Sequence, residues 1–202
     1  MNSKHNNVLG RVLRANTRGF TFGTRVPKTG VPIFGSLVKA RIAHRSTTVF
    51  GIIYNIEIKD NGMAKMLSVS DDVRPEEVAW LQDQVVPVEA TVMCVGYQEQ
   101  SPIGSLRHAL PSQPPITLDL VHDCDEQEVS QFTTVPTYLR LMLEHPDAPA
   151  DELIAASTRL TVELLQPANS REAFVIATGR ELARLLARDG ARLEGLLQRI
   201  CM

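Results

Sequence analysis

The densest run of potential metal ligands is His122-Asp123-Cys124-Asp125. Zinc takes about four ligands in a tetrahedron, usually from two separated pairs. No second pair follows at such a spacing, although His44, His108 and Cys94 could approach in space. The run therefore reads as a strand end entering an acidic turn, and no metal or other cofactor is expected. Cys94 alternates with apolar neighbours, which marks a buried small hydrophobe rather than a nucleophile. Asp71-Asp72 and Glu76-Glu77 read as helix-start acids, not as an acid/base pair. The segment Gly30 to Leu37 has the two glycines of a phosphate-cradling loop. It lacks the Lys that grips phosphate, and it precedes a strand instead of joining strand to helix. No G-x-S-x-G elbow occurs. The expectation is a protein that is not an enzyme and binds no ATP.

Two binding signals stand out instead. Lys39 and Arg41 share one side of an alternating segment, with Arg11 on the corresponding side of an earlier one. Outward basic residues and exposed aromatics on a small barrel can hold single-stranded nucleic acid by stacking. Phe20, Phe22, Phe50 and Tyr54, however, fall mostly on faces that a core needs. The second signal is Arg180, Arg184, Arg188 and Arg192, one every four residues, neighbours if they lie on one helix. The plainer reading of the arginine row is a solvated helix face, with Glu181 and Asp189 beside it. The candidate contacts to a protein partner or nucleic acid are Arg11, Lys39, Arg41, Arg180, Arg184 and Arg188.

These residues belong to a chain of 202 with a net charge of −2. A chain of this length buries about 70% of its unfolded surface and needs no disulfide or metal to fold. No apolar run reaches the ~18 residues of a membrane span. The N-terminus has neither the apolar run nor the cleavage site of a secretory signal. Cys94, Cys124 and Cys201 are scattered, with no C-x-x-C pair, so the chain reads as reduced and cytoplasmic. Charge is segregated: nine basic residues and no acidic one precede Glu57, whereas residues 57–135 hold fourteen acidic and four basic residues. Either the basic part meets a phosphate or acidic partner, or the two parts neutralise each other within one fold.

Strands come first. Val8 to Arg14, Phe20 to Phe22, Ser36 to Ile42, Thr48 to Ile58, Ala64 to Val69, Pro87 to Tyr97 and Ile116 to Val121 are the candidates. Period two places Phe50, Ile52, Tyr54, Ile56 and Ile58 on one face. It also groups Val8 with Gly10 and Val12, and Val88 with Ala90, Val92 and Cys94. Asp71 to Gln84, which holds the single Trp80, predicts an inserted helix. The Pro-rich stretch Gln98 to Pro115 predicts a long surface loop or flap. Beyond Asp123 the period becomes helical. Helices are predicted over Pro136–Glu144 and Asp151–Leu165, after a Ser170 cap, and around Leu193 to Ile200. The fold class is α+β: an N-terminal small barrel over 1–125, then a helical region over 126–202.

The order of these segments resembles the HAS barrel, the small domain shared by HerA-type DNA-translocating ATPases and ATP-synthase subunits. The resemblance rests on Gly10 and Val12, Phe20 and Phe22, Gly35 and Val38, Val49, Gly51, Ile53 and Ile56, then Ala90, Val92 and Gly96. It covers about Val8 to Val121. Pro114-Pro115-Ile116 departs from the Pro-Gly pair usual in the family. No ATPase motif follows, so the barrel stands free of its motor. The resemblance implies a docking or assembly module: an adaptor or accessory subunit for a HerA-like ATPase or related DNA-processing complex. The alternative is a nucleic-acid-binding protein that uses the basic strands.

Two structural expectations complete the reading. Phe50, Ile52, Ile56, Val92 and Leu118 are expected in the barrel core. The Leu-rich stripes of the tail are expected to drive self-association, on the premise that the barrel's outer face is charged; the alternative is a monomer whose tail packs back on the barrel.

Overall fold

The computed structural model describes residues 7–25, 32–42, 46–58, 74, 76, 87–99 and 105–201. The expected strand at Ala64–Val69, most of the Asp71–Gln84 helix and the segment 26–31 lie outside the described residues.

Six antiparallel strands close into a barrel. They are β1 (Val8–Asn16), β2 (Gly19–Arg25), β3 (Leu37–Ile42), β4 (Thr47–Ile58), β5 (Pro87–Glu99) and β6 (Leu120–Asp123). The order around the barrel is β1-β2-β5-β4-β3-β6, and β6 pairs with both β1 and β3 to complete the circle. Strict alternation makes β3 a barrel stave: Val38, Ala40 and Ile42 point inward, while Lys39 and Arg41 point out. Ala90, Val92 and Cys94 of β5 likewise face the interior, beside Phe20 and Phe22.

The period-two reading of β4 holds only in part. Both faces of this strand are buried between Val49 and Ile53. Val49 and Ile53 enter the barrel, whereas Phe50 and Ile52 point outward into a second core. A register shift between Ile53 and Asn55 then inverts the phase, so Ile56 packs against the inner cluster and Ile58 is exposed. A similar shift between Val8 and Gly10 leaves Val8 exposed and turns Leu9 inward.

The helices that follow are α1 (Glu126–Thr133), α2 (Leu139–Leu143), α3 (Ala150–Leu164), α4 (Ala168–Leu185) and α5 (Gly190–Cys201). The first was not anticipated. Its signal is a capping box: Asp125 accepts from the Glu128 backbone, and the Glu128 side chain accepts from the Asp125 backbone. Ser170 does not cap α4. Extended Pro167 is the N-cap and the helix begins directly after it, leaving Ser170 within the first turn. No helix among the described residues is long and apolar enough to cross a membrane.

The second core joins the two halves. Phe50, Ile52, Met93 and Val95 of the barrel's outer face pack with Phe132, Tyr138, Met142, Leu153, Ile154, Leu182 and Leu196. This patch of the outer face is apolar, not charged, and the helical stripes are buried jointly by it and by one another, with α3 packed against α2, α4 and α5. Each such side chain contributes roughly 1.5–3 kcal/mol by leaving water. Gly35 lies at the contact. Its φ of 89° suits a residue without Cβ, and a Cβ there would come within 2.9 Å of the Ser157 nitrogen on α3.

Residues 105–115, the described part of the Pro-rich stretch, form a mostly exposed surface segment anchored at Arg107 and His108. Arg107 and Tyr97 exchange backbone hydrogen bonds of 2.9 Å each, and His108 packs between Phe132 and Tyr138. The last strand begins at Leu120, because residues 116–119 form a tight turn. Leu118 sits in that turn at φ 74°, 62% exposed, and so is not a core residue.

Candidate docking groove

A groove of about 500 Å³ crosses the outer face of four neighbouring strands. Gln98 comes from β5, Thr48 and Phe50 from β4, Lys39 and Arg41 from β3, and Leu120 and His122 from β6. Glu128 of α1 closes one side, and Leu118 with Asp119 form another. Period two on β3 is what turns Lys39 and Arg41 to this side together. The buried ring of Phe50 is held from behind by Phe132, with ring centres 5.3 Å apart.

The three predicted barrel cations have different roles. Lys39 is mostly buried and forms an ion pair with Glu128. Arg11 donates from Nη1 to the Leu118 carbonyl oxygen at 3.0 Å. Arg41 is exposed and has no ion-pair partner among the described residues. Arg11 and Arg41 thus lie on either side of the turn that carries Leu118, one supporting it and one facing solvent.

That turn is fixed from several directions. The Leu118 N–H donates to the Val12 carbonyl at 2.8 Å, and the Val12 N–H donates to the Asp119 carbonyl at 2.9 Å. The Ile116 N–H donates to the Asp119 carboxylate at 2.9 Å. A leucine in the left-handed region is unfavourable by roughly 1–2 kcal/mol. Strain of this kind persists only where surrounding contacts over-determine the backbone. Leu13 and Ile116 are exposed nearby, joined to the turn through the Thr117 hydroxyl, which donates to the Leu13 carbonyl.

The predicted arginine row does not lie on one helix. Its chain passes through the break at Leu186–Asp189, so Arg180 and Arg184 are on α4, Arg188 is in the break and Arg192 is on α5. Arg184 is held by Glu181 at 2.7 Å, and Arg192 grips the Asp151 carboxylate through two nitrogens. The run His122 to Asp125 is divided among separate tasks. His122 and Asp123 end β6, Cys124 is buried in the second core and Asp125 caps α1. Burial pushes the Cys94 thiol up to about 12, and burial raises Cys124 as well. Both behave as small core hydrophobes.

A second cleft, of about 420 Å³, was not anticipated. It lies at the β1–β2 hairpin and is lined by Arg14, Arg18, Tyr54, His145 and Asp147. Tyr54 and His145 rings stand 5.0 Å apart. Arg14 is partly neutralised by Glu89 at 3.3 Å. Burial is the main cause that lowers the His145 pKa, with Asp147 opposing it and Arg18 assisting. The residues come from positions about ninety apart in the chain, and no local pattern connects Tyr54 with His145.

No protein-family model matches the chain, and no curated protein is detectably similar to it.

Proposed function

We propose that this chain is a non-catalytic interaction module, an adaptor or accessory subunit that docks a protein partner through the groove on its barrel. The observation that carries this reading is Leu118, a strained leucine held out to solvent beside Arg41, which has no ion-pair partner among the described residues. Folding gains little from a leucine so placed, whereas a partner can cover it. The HAS-barrel resemblance extends the proposal to a HerA-like ATPase or related DNA-processing assembly as the partner, in the cytoplasm. Self-association through the tail draws what support it has from Val175, Ile176 and Leu197, which are exposed on α4 and α5.

The nucleic-acid reading has less support. Phe20, Phe22 and Phe50 are all buried, so the basic strands carry no stacking platform beside Lys39 and Arg41. The test is affinity purification of the tagged chain from its own source cells, followed by mass spectrometry. A stoichiometric protein partner, lost on Leu118→Gly with Arg41→Glu, is the expected result. A chain that retains no protein but shifts oligonucleotides in a steeply salt-dependent way would replace this reading with the nucleic-acid one.

A further inference from the structure

We propose that the groove takes an acidic peptide segment carrying one apolar anchor residue. The inference rests on the interaction-module reading and names the chemistry of its partner.

The anchor follows from the apolar surfaces. Phe50 is buried at the bottom of the groove, and Leu118 stands 62% exposed at its edge, so Leu118 supplies the open hydrocarbon. A glycine at 118 would relax the backbone, and a polar residue would suit the exposure. Leucine satisfies neither demand in the free protein. It satisfies both a partner's apolar side chain and the geometry of the groove once that side chain is seated. The backbone bonds from Val12, Ile116 and Asp119 keep this turn preformed, which lowers the cost of binding.

The acidity follows from the charges. Two cations (Lys39, Arg41) and two acids (Asp119, Glu128) line the groove, and a third cation, Arg11, reaches its edge at the Leu118 carbonyl. Glu128 is committed to Lys39 and to the Asp125 backbone. Asp119 turns its carboxylate back onto the Ile116 N–H. Arg41 is left facing solvent, and Arg11 uses one nitrogen on the Leu118 carbonyl and keeps the rest of its guanidinium outward. With Arg11 counted, the formal charges around Leu118 sum to +1, three cations against two acids, and carboxylates flanking the anchor match that excess. A phosphate backbone would satisfy the arginines but would leave Leu118 uncovered.

The experiment uses the full chain and three synthetic twelve-residue peptides, read by fluorescence anisotropy. One has a central Leu flanked by Asp and Glu, one the same Leu flanked by Lys and Arg, and one the acidic flanks with Gly in place of Leu. The first is expected to bind at least about tenfold tighter than the other two. Arg41→Glu is expected to weaken it about tenfold, and Leu118→Gly likewise, while Leu118→Gly raises the thermal midpoint by relieving the backbone. That rise shows that lost binding is not lost folding. Equal binding of all three peptides, or binding unchanged in both variants, overturns the proposal. So does competition by single-stranded oligonucleotide for the same groove. If no peptide binds while the doubly substituted chain still retains its stoichiometric partner from cells, the groove assignment falls and the module reading stands. If neither chain retains a partner, both fall.

Discussion

Lys39 on β3 and Glu128 on α1 form an ion pair that ties the basic N-terminal strands to the acidic second half of the chain. Glu128 also completes the capping box by accepting from the Asp125 N–H at 2.9 Å. One carboxylate therefore both neutralises a largely buried lysine and starts the helix that covers Phe50. Glu128→Gln keeps a capping side chain but removes the charge, and is expected to cost about 1 kcal/mol. Glu128→Ala removes both and is expected to cost about 2 kcal/mol. Urea unfolding of the two variants separates the tasks. Equal losses would show that the ion pair contributes nothing beyond the cap.

His108 predicts an acid-side loss of stability. Its Nε2 donates to the Phe132 carbonyl at 3.0 Å, which leaves Nδ1 to accept from the Thr137 hydroxyl at 2.7 Å. Burial lowers its pKa, opposed by the Phe132 bond. The unfolded chain therefore takes up a proton near pH 6.5 that the folded chain refuses until lower pH. Stability is complete above that range and declines as pH falls below about 6.5. His145 acts in the same sense. The slope of unfolding free energy between pH 7 and pH 5 is expected to shrink in His108→Gln and further in a His108→Gln, His145→Gln double variant.

Thr178 is 1% exposed on α4, and its hydroxyl is buried with no hydrogen-bond partner among the described residues. A buried unsatisfied hydroxyl carries a desolvation penalty of about 1–3 kcal/mol. Thr178→Val replaces it with a methyl group of similar shape. The variant is expected to be more stable than the parent by about 1 kcal/mol, measured by thermal or urea unfolding. A destabilised variant would mean that the hydroxyl is satisfied in solution.

Gly35→Ala is expected to be the most damaging of these small changes. A methyl group there meets the α3 backbone and occupies a φ that alanine disfavours. A loss of about 2–3 kcal/mol is expected from clash and strain together. Circular dichroism of the unfolding transition measures it, and a loss below ~0.5 kcal/mol would mean that barrel and α3 separate easily at this point.

Much of the barrel was legible because β3 keeps one phase throughout and β5 keeps one from Val88 to Cys94. Lys39 and Arg41 could be placed outside from spacing alone, since Val38, Ala40 and Ile42 bracket them. β4 was less legible. It is buried on both faces and changes register, so no single alternation describes Phe50 and Ile56 together. The premise of a charged outer face failed for a related reason, because Phe50 and Ile52 were assigned to the barrel interior, without a second core to receive them. The helix after Asp125 is short, and only its Asp125–Glu128 cap announced it. The groove was half visible. Its cations could be read from β1 and β3, but Leu118 could not, because a side chain type does not record a positive φ imposed by Val12 and Asp119.

The closure of the barrel by β6 has a kinetic consequence. Strand β1 is made first, yet one of its two edges waits for residues 120–123 to pair with it. Until those residues leave the ribosome, β1 and β3 both present open edges, the usual templates for pairing with the wrong chain. Pairings between such distant residues belong to the class that folds in milliseconds to seconds, about a thousandfold slower than helical bundles. The four residues of β6 thus act as a latch whose late arrival times the whole assembly. The helix cap at Asp125 follows it at once, so closing the latch and covering Phe50 are consecutive events along the chain.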